Sequence, residues 1–150
     1  MPMKNSSYLR ISPSVSVPKA DVECICFYDS RPVTAFFSKA KQAGNGFKTD
    51  TGAKSVIFTR NRETFLSPYM VKTYIDKLDE SDFIKVDSRC YILESEVKQI
   101  ITKLNRQYLD LIRGKREKNL FLNVTRGKKA SVWVLTKSGM IYACRKIMSN

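Results

Sequence analysis

Hydrophobic and polar residues alternate through "YLRISPSVSV" at residues 8 to 17, the two-residue period of a strand with one face buried. "DVECICFY" continues as a compact β-rich run in which Cys24 and Cys26 share a face. The period then lengthens. "VTAFFSKAKQAG" follows Ser30 as a helix N-cap and Pro32 near the first turn, and Gly44 and Gly46 stop that helix. "KSVIFT" and "ETFLSP" form a predicted hairpin across Asn61, and "SPYMVKTYIDKL" carries apolar residues at helical spacing. A second hairpin pairs "SVWVL" with "MIYAC" across Lys137-Ser138-Gly139. Between the two, "EVKQIITKLNRQYLDLIRGKRE" reads as a helix that begins near Glu94.

This order repeats. Shifted by half its own length, the chain lays "YLRIS" (8 to 12) on "FIKVD" (83 to 87), and Val22 and Ile25 on Val97 and Ile100. "FFSKAKQ" falls on "LIRGKRE", Gly52 falls on Gly127, and one or two insertions then bring "GAKSVIFT" onto "GKKASVWVLT". The expectation is an α+β protein of two tandem small modules, residues 1–77 and 78–150, each an antiparallel sheet with one or two helices, packed as a pseudo-dimer. The repeat conflicts with local propensity near Glu94, where the helix would replace the strand that the first module has there.

Charge adds a partner class. The chain carries 27 Lys and Arg against 14 Asp and Glu, a formal charge of +13, and attracts polyanions, of which nucleic acid is the commonest. Residues 111–150 hold ten basic side chains against one acid, Glu117. Arg113, Lys115 and Arg116 close a helix, and Arg126, Lys128 and Lys129 flank Gly127, which lets backbone approach a phosphate. No stretch reaches the length of a membrane span, and the start lacks the apolar region of a secretory signal, so a cytoplasmic protein without membrane contact is expected.

Catalytic chemistry finds little support. The chain has no histidine, and its four cysteines, Cys24, Cys26, Cys90 and Cys144, form no CxxC pair, so neither a metal site nor a cofactor is expected. The acids of "DKLDESDF" (76 to 83) read as a polar linker, and "GAKS" and "GKKAS" lack the leading glycine and spacing of a phosphate loop. The reading is a binding protein without enzymatic activity. Trp133, Tyr142, Phe58 and Phe65 stack on unpaired bases only if they face outward, and alternating hairpins place such rings in the core.

"YLRIS", "CICFYD", "KSVIFT" and "LSP" in the first half, with "NVTRGKKASVWVLTKSGMIYA" in the second, resemble the bacterial RemA/RemB family of biofilm-matrix regulators. The first half is similar to the RemB type and the second to the RemA type. The resemblance implies transcription regulation by double-stranded DNA binding and subunits that self-associate into rings, with the basic residues after the turn glycine on phosphates. The family's basic pair falls on Lys128 and Lys129, and in the first half on Ala53 and Lys54, where one charge is lost. The family's arginine before its second strand has no basic counterpart beside Asp21 or Glu96, and its small-Pro segment is kept at Ser30-Arg31-Pro32 but missing near Asn105. Lys54, Arg113, Lys115, Arg116, Arg126, Gly127, Lys128 and Lys129 are therefore the candidate contacts. The alternatives are an RNA-binding module and a structural protein that meets an acidic protein partner.

Overall fold

The computed structural model describes residues 7–13, 15–27, 54–61, 63–87, 90–118, 120–125 and 129–148. Strands β1 (Tyr8–Ser12) and β2 (Val15–Pro18) pair as an antiparallel hairpin, and a single 3-10 turn at Lys19–Asp21 leads into β3 (Val22–Phe27). β4 (Ser55–Thr59), β5 (Thr64–Ser67), α1 (Val71–Lys77), β6 (Phe83–Val86) and β7 (Cys90–Leu93) follow. Another 3-10 turn at Glu94–Glu96 opens β8 (Val97–Ile101), then come α2 (Arg106–Glu117), β9 (Phe121–Asn123), β10 (Val132–Thr136), β11 (Ile141–Cys144) and β12 (Ile147–Met148). The protein is mixed α+β and mostly sheet: a six-stranded sheet in the order β12-β6-β7-β3-β4-β5, a four-stranded sheet in the order β8-β10-β11-β9, and the β1-β2 hairpin. The six-stranded sheet takes strands from both sides of the expected boundary at residues 77 and 78, because β7 pairs with β3.

Both predicted hairpins form, β4 with β5 and β10 with β11. Gly139 takes φ 97°, a left-handed conformation that costs a side-chain-bearing residue energy, and its turn is closed by the Thr136 amide donating to the Met140 carbonyl at 2.9 Å. "SPYMVKTYIDKL" contains α1, and "DKLDESDF" holds a 3-10 turn at Glu80–Asp82 capped by Asp79. The helix expected from near Glu94 begins instead at Arg106. Residues 97–101 pair with β10, matching Trp133 to Ile101 and Val134 to Ile100, and this tertiary pairing overrides the local helical pattern. Asn105 then caps α2, its Oδ1 accepting from the Tyr108 amide at 2.9 Å. The helix expected over "VTAFFSKAKQAG" lies outside the described residues.

Elements recur along the chain. β2, its 3-10 turn and β3 start at Val15, Lys19 and Val22; β7, its turn and β8 start at Cys90, Glu94 and Val97, the same half-chain shift each time. β4 and β5 start at Ser55 and Thr64, and β10 and β11 start at Val132 and Ile141, just beyond that shift, as the insertions after Gly127 require. Hydrogen bonds recur with them. Lys54 N donates to Ser67 O at 2.8 Å and Ser131 N to Cys144 O at 2.9 Å; Arg60 N donates to Asp21 O at 2.7 Å and Lys137 N to Glu96 O at 2.8 Å.

The alternation of each strand assigns it two faces, and the layers follow from them. Cys24, Cys26, Val56, Phe58, Val86, Cys90 and Ile92 of the six-stranded sheet pack on Leu122, Val134, Tyr142 and Cys144 of the four-stranded sheet. On the outer face of the larger sheet, Ile25, Ile57 and Phe83 meet Leu9, Ile11 and Val17 of the hairpin and Tyr74 and Ile75 of α1. Ile112 of α2 packs on Leu135 and Ile141 outside the smaller sheet.

Glu23, fully buried, sits between the sheets. The register shift between Val22 and Cys24 accompanies its turn inward, where Ser138 Oγ donates to Oε1 at 2.5 Å and Tyr142 OH to Oε2 at 2.6 Å. Burial raises the Glu23 carboxyl above its ordinary 4.5, against the lowering effect of those hydrogen bonds. A raised pKa means that the folded state favours the acid form, so this contribution is complete below pH 4.5 and is lost as pH rises through the folded value. Glu23→Gln is expected to remove that decline, whereas Glu23→Ala leaves the buried Tyr142 hydroxyl without its acceptor and costs about 1–3 kcal/mol. Urea unfolding from pH 4 to 8 checks both, and an unchanged pH profile in the Gln variant would show that Glu23 does not titrate with folding.

Candidate nucleic-acid interface

The four-stranded sheet and α2 position most of the described cations. The apolar side of α2, centred on Ile112, binds it to the sheet, which leaves Arg106, Leu109, Arg113 and Arg116 on an exposed face at helical spacing. The Arg116 guanidinium lies 4.4 Å from the centre of the Phe121 ring, a cation–π contact that restrains its long side chain. Lys115 is half-buried, with Nζ 3.3 Å from where a Cβ on Gly139 would stand, so it crosses the hairpin turn. Lys115 and Arg116 also lie at the negative end of the helix dipole, which favours cations there whatever they bind.

The basic loop after β9 is held at both feet by β11. The Val124 amide donates to Ala143 O at 2.9 Å, and the Ser131 amide to Cys144 O at 2.9 Å. On the first side Asn123 Oδ1 accepts from the Thr125 amide at 2.9 Å and its hydroxyl at 2.6 Å. On the other, Ser131 Oγ donates to Arg145 O at 2.5 Å. Lys129 is exposed beside this foot, and Arg126, Gly127 and Lys128 lie outside the described residues. The pinning brings Arg145 and Lys146, both exposed, to the base of the loop, and Asp87 holds their backbone amides at 2.8 and 3.0 Å.

Two basic groups thus occupy opposite ends of β9, which runs parallel to β11: the end of α2 with Lys115 and the Lys137 turn near Phe121, and Lys129 with Arg145 beyond Asn123. A three-residue strand separates them by about 10 Å. Lys54 is exposed but opens β4 in the other sheet, and its hydrogen-bonding position corresponds to Ser131, two residues beyond Lys129. The insertion in the second half therefore falls inside the loop, and Lys54 is not the counterpart of Lys129. Arg106, Arg145 and Lys146 join the candidate residues. Helical spacing from Arg113 is the signal that would have found Arg106; Arg145 and Lys146 reach the loop only through strand pairing.

Of the four candidate rings for base stacking, two are buried and two half-buried. Phe58 and Tyr142 are buried edge to face, their centroids 6.0 Å apart, Trp133 packs with the α2 cluster, and Phe65 is half-buried against the outer core. Burial also holds the Tyr142 hydroxyl well above its ordinary pKa, so it stays a donor to Glu23.

Three of the four cysteines converge where sequence spacing suggested no site. Sγ of Cys26 lies 2.8 Å from Cys90 and 3.3 Å from Cys24, and Cys24 lies 3.4 Å from Cys90, all buried. Three thiolates around a metal at about 2.3 Å stand about 4 Å apart, so these sulfurs are too close together to surround an ion as they stand. No protein-family model matches the chain, and comparison with curated proteins finds no match.

Proposed function

We propose that the protein is a non-enzymatic, double-stranded DNA-binding regulator or architectural protein, built as two equivalent modules packed as an intramolecular pseudo-dimer. The observation that carries the DNA reading is the loop pinned at Val124 and Ser131, which presents Lys129 and Arg145 outward on a chain of formal charge +13. Cations on a rigid sheet edge and along the outer face of α2 suit phosphate contacts, which position a protein on a duplex without reading bases. The burial of Phe58 and Tyr142 favours a duplex over unpaired RNA. The resemblance to the RemA/RemB family points the same way, and the recurring strands and hydrogen bonds support the tandem arrangement.

The same recurrence suggests how copies associate. β7 joins β3 in the register Cys24 with Ile92 and Cys26 with Cys90. Moved by half the chain length, this is β2 of one copy on β8 of another, with Val17 against Gln99 and Val15 against Ile101. Among the described residues no strand pairs with the outer edge of β8 or of β2. Val15 and Ile100, on these two edges, are 38% and 44% exposed, apolar side chains of the kind that strand addition covers. The contact is head to tail, so it propagates into a ring or a filament.

Two outcomes are expected. Replacing Lys128 and Lys129 by Ala weakens duplex binding similarly across sequences and reduces the salt slope by about one per lost contact, with stability changed by only about 0.5 kcal/mol. Gel shifts at several salt concentrations with duplex DNA, single strands and RNA read this; unchanged affinity and slope would move the interface to Arg113, Lys115 and Arg116. Ile100→Lys, which charges the β8 edge, is expected to reduce light-scattering mass to that of one chain with melting preserved. A native chain that stays monomeric at high concentration, with and without DNA, would remove the assembly.

A further inference from the structure

Cys26 and Cys90 stand directly opposite in the antiparallel β3-β7 pair, although 64 residues separate them along the chain. Opposed residues in such a pair have Cα atoms about 4.5–5.5 Å apart, inside the range of about 4.4–6.8 Å that a disulfide spans. Their sulfurs are already within 2.8 Å of each other, and Cys24, two residues along the same strand, touches both. Reduced cysteines that serve only as small apolar filling have no need to converge in this way. We propose that Cys26 and Cys90 form an oxidation site, closing under peroxide into a disulfide that joins β3 to β7.

The three thiols differ in acidity. Burial opposes ionisation of Cys26 most strongly, but hydrogen bonds from Cys24 and Cys90 outweigh it and bring the Cys26 thiol down to about 6. Burial pushes Cys24 and Cys90 well above the ordinary thiol range. Cys26, the more acidic of the pair, takes the attacking role and Cys90 the resolving one. With hydrogen peroxide as oxidant, the Cys26 sulfur attacks one peroxide oxygen, the O–O bond breaks, and the departing hydroxide takes a proton to leave as water. The resulting sulfenic acid is attacked by Cys90, which gives up its proton as the S–O bond breaks and a second water departs. Two thiols lose two electrons in all, and one peroxide becomes two waters. A disulfide is apolar and uncharged, which suits the core between the sheets.

Both sulfurs belong to residues no more than 3% exposed, so peroxide reaches them only through transient loosening of the core packing over the paired strands, and the reaction is slow in the folded chain. The full-length protein, purified reduced, is incubated with hydrogen peroxide for increasing times, alkylated, digested with trypsin and mapped by mass spectrometry. The expected product joins peptide 20–39, uncut at Arg31 because Pro32 follows, to peptide 90–98 through Cys26 and Cys90. It disappears with dithiothreitol and leaves Cys144 free. Because it closes a long loop, the oxidised chain melts higher by roughly 10 °C, reversibly. Cys26→Ala is expected to abolish this cross-link, and Cys144→Ala to leave it unchanged. Recovery of all four cysteines as free thiols, under conditions that oxidise the urea-unfolded chain, would overturn the proposal. So would one tightly held metal ion per reduced chain that blocks the reaction, because the three sulfurs would then be ligands. The peptide map of the native chain decides the matter even if a variant fails to fold.

Discussion

The antiparallel pairing of β7 with β3 is the contact on which the other layers depend. β3 lies inside the six-stranded sheet, with β7 on one side and β4 on the other. Its inward residues, Cys24 and Cys26, are in the central core, and its outward residues, Val22 and Ile25, are in the core beneath the hairpin and α1. Loss of the β7 pairing would open the seam between these two cores at once. Modules of about 70 residues bury too small a fraction of their surface to be comfortably stable alone. Pairing with β7, β6 and β12 extends the sheet of β3, β4 and β5 to six strands and gives the central core more apolar surface.

Polar contacts tie the halves together at the same place. Glu23 of β3 accepts from Ser138 and Tyr142 beyond the sheet interface. At the surface end of this junction, the Arg60 guanidinium meets the Glu96 carboxylate at 2.7 Å, while the two backbones follow equivalent hydrogen bonds to Asp21 and Glu96. Arg60 is half exposed while Glu96 is buried, so solvent screens this pair from one side; the Glu23 acceptor matters more, since without it the buried Tyr142 hydroxyl would be desolvated without a partner. The junction is therefore specific as well as apolar, and it leaves Arg106, Arg113 and Arg116 of α2, and Lys129, facing outward.

Much of the local structure was legible in the amino-acid order. Alternation marked the strands at 55–59, 64–67, 132–136 and 141–144, and Gly139 marked the turn that requires positive φ. The repeat was visible because equivalent strands need the same alternation and the same turn signals. The stretch 97–101 was not decided locally: "VKQII" fits either a strand or a helix start, and pairing with β10 chose the strand. Of the candidate site, the basic clusters were legible as charge, since cations crowd one part of the chain. The attachment of Arg145 and Lys146 to the loop was not, because it runs through hydrogen bonds from Val124 and Ser131 to β11.

Sequence alone determined which faces of the strands are apolar, where the turns fall and how much net positive charge the chain carries, since period, turn chemistry and net charge are properties of neighbouring residues or of simple sums. Tertiary structure decided which apolar face meets which. A buried face records that it must be covered and carries no address for its partner, and several coverings of similar area are open to the same pattern. Packing and loop closure selected the one in which Cys90 crosses to Cys26, Glu23 finds Tyr142, and β7 completes a sheet begun in the other half.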